Sequence, residues 1–112
     1  MMHYIYILTL MTFFFFFCAG FLTDGQEQDP STKSAEAIKL LKGSKYPESI
    51  AAFQKIVAEY PNSDWAANAI YSIATAYVSV ENPHKDYAQA LIHFDEFLSR
   101  YPQHERAVDA RN

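Results

Sequence analysis

A long internal repeat constrains this chain more than any other feature. The run Tyr60-Pro61-Asn62-Ser63-Asp64-Trp65-Ala66-Ala67-Asn68-Ala69 aligns with Tyr101-Pro102-Gln103-His104-Glu105-Arg106-Ala107-Val108-Asp109-Ala110, keeping Tyr-Pro and two later alanines. Upstream, Tyr46, Ile50 and Phe53 align with Tyr87, Leu91 and Phe94 at the same offset, about 41 residues. Repetition at this length marks a supersecondary unit that cannot bury its apolar side alone and relies on its neighbours.

Each unit reads as two helices. In unit one, a helix is expected over about 34–42, stopped by Gly43, and a second from Pro47, a residue suited to a first helical turn, to just before Pro61. In unit two, Ser63 or Asp64 caps a helix whose Ala66, Ala69, Ile70, Ile73, Ala74 and Tyr77 recur at helical spacing, and Asn82-Pro83 stops it. Its partner starts at Asp86, with Gln89 three residues on and the stripe Tyr87, Leu91, Phe94, Leu98. Ala37, Ala69, Ala74 and Ala90 are expected where helices approach most closely. A third unit begins near His104. Its first helix offers only Ala107, Val108 and Ala110, so a flank at Phe94, Phe97 and Leu98 is expected to be partly open.

The hydrophobic fraction of the whole chain, 50%, is concentrated at the N-terminus. Residues Tyr4 to Leu22 carry no charge and include the run Phe13 to Phe17. A helix of that length spans a bilayer core, and with no polar face it is not expected to rest in water. Residues 1–22 are thus a signal peptide or membrane anchor, with three readings. A peptidase cuts near Gly20 and the product is secreted, or the segment stays as an anchor, or Cys18 becomes a lipidated first residue. All three put the residues after Thr23 on the far side of the membrane. Residues 23–33, nearly devoid of apolar side chains, are expected to form a flexible tether, and 34–112 the repeat domain.

The pattern Tyr-x-x-small-aliphatic-x-x-Phe, then Tyr-Pro-x-Ser/His-x-x-Ala, resembles tetratricopeptide proteins of bacterial envelopes. Tyr60-Pro61-Asn62-Ser63-Asp64-Trp65-Ala66 and Phe97-Leu98-x-x-Tyr101-Pro102-x-His104 make it similar to BamD-like outer-membrane assembly lipoproteins over about Ser34 to Ala110. The loop Glu81 to Asp86, about four residues longer than its counterpart, and the Cys18-Ala19-Gly20 start look more like related small periplasmic repeat lipoproteins. The resemblance implies an all-α fold of helix-turn-helix repeats, two units plus the start of a third, behind the apolar targeting helix.

Nothing in the sequence points to catalysis or a cofactor. His93 and Glu96 share a helix face as a lone metal-ligating pair, there is no nucleophile motif or phosphate loop, and the chain has three glycines. A net charge of -4 without clustered Lys and Arg excludes nucleic acid as a partner class. Binding remains. In the proteins it resembles, the first helices of the units line a concave groove that holds an extended segment or helix of a partner. Here those positions are Ser34, Ile38, Leu41 and Lys42, then Asn68, Tyr71, Thr75 and Val78. The expected function is a non-catalytic scaffold or adaptor, tethered to the envelope and serving outer-membrane protein assembly. The alternatives are a structural repeat acting through self-association and, on the His93/Glu96 pair alone, an enzyme.

Overall fold

The computed structural model describes residues 28–112. The apolar segment, Cys18 and the expected tether up to residue 27 lie outside them. Five helices follow in order: α1 (Pro30–Lys42), α2 (Tyr46–Glu59), α3 (Asp64–Val78), α4 (Tyr87–Arg100) and α5 (Ala107–Arg111). The described residues are all-helical, as the repeat predicts. Each helix packs on the next, and α1 also touches α3. None of the described helices is long and apolar enough to cross a membrane.

Local chemistry sets most boundaries. The Ser63 hydroxyl accepts the Ala66 amide at 3.1 Å, and Asp86 accepts the Gln89 amide at 3.0 Å, so both caps satisfy an otherwise orphaned N–H. Pro47 sits in the first turn of α2. Gly43 ends α1 as expected, though with a negative φ; the left-handed residue of that turn is Ser44, at φ 58°. Two boundaries differ from expectation. Helix α1 begins at Pro30, so residues 30–33 are its first turn and not tether. Proline supplies a preset φ there, and Lys33 reaches across to an ion pair with Glu59. Helix α3 stops at Val78, before Asn82-Pro83, because the chain from Ser79 turns back on the helix end.

Two buried clusters hold the stack together. The first joins Ala37 of α1, Tyr46, Ile50, Phe53 and Ile56 of α2, and Ala69, Ile73 and Ala76 of α3. The second joins Ala67 and Ile70 of α3 to Phe97 of α4 and Ala107 of α5, and Val57 packs against both. Burying a side chain the size of Phe53 or Ile73 contributes about 1.5–3 kcal/mol. Alanines occupy the contact lines: Ala37, Ala69, Ala74 and Ala90 are all buried, as their size requires where helix axes converge.

The stripe expected on α4 is corrected. Ala90 and Phe97 form its inward face, while Tyr87 and Leu91 are exposed. Phe97, expected on an open flank, is fully covered by Tyr71, Tyr101, His104 and the second cluster.

Candidate partner-binding groove

Helical geometry puts the eight groove positions on two faces. Ser34, Ile38, Leu41 and Lys42 are spaced four, three and one apart on α1, and Asn68, Tyr71, Thr75 and Val78 three, four and three apart on α3. The two helices touch. Lys42 is exposed, Ile38 is 40% exposed, and the other six are half-buried. The set is mixed: Ile38, Leu41 and Val78 are aliphatic, Tyr71 is aromatic, and Ser34, Lys42, Asn68 and Thr75 are polar.

Several of these groups already have partners. Leu41 packs against the first core cluster. The Asn68 amide donates to the Asp64 carbonyl at 3.0 Å, and the Thr75 hydroxyl donates to the Ser72 carbonyl at 2.9 Å. The Thr75 oxygen keeps acceptor capacity and Asn68 keeps its carbonyl, so each can still meet a partner's N–H. The Tyr71 ring is gripped edge-on by Phe94 and Phe97, at 5.8 and 5.5 Å between centroids, and the Arg106 guanidinium lies 5.1 Å above it. Tyr71 therefore fastens α3 to α4 and to Arg106, the residue that caps α5.

At the far end of α2 the structure adds a feature read from the sequence only as a helix stop. The long α3–α4 connection folds back, and Asn82, 2% exposed, bridges it: its amide donates to the Ala76 carbonyl and its oxygen accepts the His84 amide, both at 2.9 Å. A cavity of about 280 Å³ opens beside it, lined by residues including Tyr46, Gln54, Tyr77 and His84. The signal was Asn82 itself, a residue whose short amide closes turns on the backbone.

The His93/Glu96 pair has a structural explanation. The His93 ring stacks on Tyr77 at 5.8 Å and 7°, and its Nδ1 lies 3.6 Å from Glu96 Oε2. Glu96 Oε1 accepts from Arg100 at 2.9 Å. Among the described residues no three His, Cys, Asp or Glu side chains converge as a metal site would require.

Antiparallel helix pairs, stacked so that first helices lie side by side and a mixed face stays open, define a helical-repeat protein of the tetratricopeptide type. The chain belongs to the YfiO family, described as outer membrane lipoprotein, which matches residues 26–111. That agrees with the resemblance to BamD-like repeat lipoproteins. No curated protein and no solved structure gives a match.

Proposed function

We propose that this protein is a non-catalytic scaffold, held at the outer membrane through its N-terminus, that binds other envelope proteins along the α1/α3 groove. The observation that carries this reading is a mixed, half-buried α1/α3 face, with Ile38 40% exposed, in a chain of an outer membrane lipoprotein family. Half-buried aliphatic groups flanked by satisfied polar groups suit an extended segment or helix. The aliphatic groups supply affinity, and backbone pairing to Thr75 and Asn68 supplies register. Its side of the membrane is periplasmic, and its process is outer-membrane protein assembly.

The test is site-specific photo-crosslinking of the full chain in native membranes. A photoreactive residue at Ile38 or Thr75 is expected to give discrete adducts with envelope proteins, and one at the exposed Lys55 of α2 is expected to give none. Equal labelling from all three sites, or adducts from Lys55 alone, would overturn the groove.

A further inference from the structure

The N-terminal half of α2 and the α3–α4 connection bound the cavity of about 280 Å³. Both walls are internal to the chain. One is Tyr46, Pro47, Ala51 and Gln54 on α2, and the other is Tyr77 near the end of α3 with His84 from the connection. The walls are held in place. The Asn82 backbone N–H donates to the Ser79 carbonyl and the Asp86 N–H to the Tyr77 carbonyl, both at 3.0 Å, and the Asn82 side chain ties Ala76 to His84. The Tyr46 and Ser79 hydroxyls lie 3.0 Å apart, which joins α2 to the start of the connection. Tyr77 stacks on His93, so one face of its ring is already taken. The cavity is therefore a preformed cleft with aromatic and prolyl sides.

The polar groups of this cleft are unevenly committed. Asn82 uses both ends of its amide on the connection, and Tyr46 and Ser79 satisfy each other. Among the described residues these are the side-chain hydrogen bonds that the lining makes. The Tyr77 hydroxyl, the Gln54 amide and the His84 ring can each donate to a ligand. We propose that the cleft binds a proline-rich segment of a partner protein in the polyproline II conformation. Such a segment makes no internal hydrogen bonds, so its carbonyls stay open to accept, and its prolines bring no N–H that would need an acceptor. Its pyrrolidine rings pack against aromatic side chains, which Tyr46 and Tyr77 supply here. A helix keeps its carbonyls for itself along its length, and a β-strand needs a backbone edge with donors and acceptors in alternation, which a wall of helix and tied loop does not offer. Segment and cleft are both stiff before they meet, so little conformational freedom is lost on binding. The site shares no residue with the α1/α3 groove and is a second binding surface, independent of it.

The probe is a fluorescent peptide of repeated Pro-Pro-Ala, and its control carries serine at every proline. Fluorescence anisotropy with the full chain in detergent micelles is expected to show saturable binding of the probe and at least tenfold weaker binding of the control. Ala51 and Gln54 are exposed, so changing them leaves the fold in place. Ala51→Arg, which fills the cleft, is expected to weaken binding at least tenfold. Gln54→Ala and Tyr77→Phe, which each remove a donor, are expected to weaken it severalfold. The helical circular dichroism of all three variants should be unchanged. Ile38→Asp is expected to leave binding unaltered, which separates this site from the groove. Absence of binding, equal binding of the control, or binding insensitive to Ala51→Arg overturns the proposal. So does sedimentation of the full chain as a concentration-dependent dimer that Ala51→Arg dissociates, because the occupant is then a second copy.

Discussion

Ala90 and Ser49 occupy the same place in the two units, and both are buried against the first helix of their unit. Ser49 uses its hydroxyl to donate to the Ala37 carbonyl at 2.9 Å. A benzyl group has no room at either position. Ala90→Phe is expected to cost about 1–3 kcal/mol, read as a lower urea midpoint. A second residue-scale effect involves charge. The hydrogen bond from Lys33 holds the Glu59 carboxyl below its ordinary value of 4.5, and the same bond holds the Lys33 ammonium above 10.5, each against desolvation. The Glu59 contribution is therefore complete above its ordinary value and is lost as pH falls through the lowered one. The Lys33 contribution is complete below 10.5 and is lost as pH rises through the raised one. Comparing urea midpoints of the wild type and Glu59→Gln across pH should show a gap at neutral pH that closes at the acid end. Residues with a purely local role are legible: of the two caps the sequence offers for α3, Ser63 or Asp64, Ser63 is the one used, and Asp86 caps α4, because their neighbours in sequence are their partners. The Lys33–Glu59 pair was not legible, because its members meet only after α1 and α2 have packed.

At the scale of elements, the repeat alignment and its Gly and Pro punctuation locate the described helices, apolar spacing adds to this for α3 and α4, and Pro61 and Pro102 mark the turns between units. Two errors share one cause, that polarity is a poor guide when contacts come from far along the chain. Ser31, Thr32 and Lys33 read as tether, yet they form a helical turn held by Lys33 and by the Tyr60 hydroxyl donating to the Gln28 carbonyl at 3.2 Å. The dipeptide Asp29-Pro30 was the available clue. On α4 the stripe Tyr87, Leu91, Phe94, Leu98 is real as a pattern, but burial depends on which neighbour is present, and Ala90 and Phe97 take the inward side. The α3–α4 connection yields a third prediction. Asn82 satisfies a buried acceptor and a part-buried donor at once, so Asn82→Ala should cost about 1–3 kcal/mol. Thermal unfolding measures the loss, and limited proteolysis should show faster cleavage within 79–86.

At the scale of the whole molecule, the packing of α1 on α3 is what the repeat predicts, since first helices in stacked pairs lie side by side. The packing role of Tyr71 is not legible, since it depends on Phe94, Phe97 and Arg106. The proposed attachment to the membrane rests on the N-terminal apolar block and on Cys18 at its end. If Cys18 carries lipid, Cys18→Ser in the full chain should release or misprocess the protein, assayed by membrane fractionation and intact mass. A wild-type soluble form starting near Phe21 would exclude that route. The outer faces of α1 and α4 differ in kind: Thr32, Glu36 and Lys39 are exposed polar groups on the one, Tyr87 and Leu91 exposed apolar groups on the other. A helix pair laid along α4 adds a nearest-neighbour interface, so a copy of unit two grafted after residue 103 should lengthen the stack and raise its unfolding midpoint.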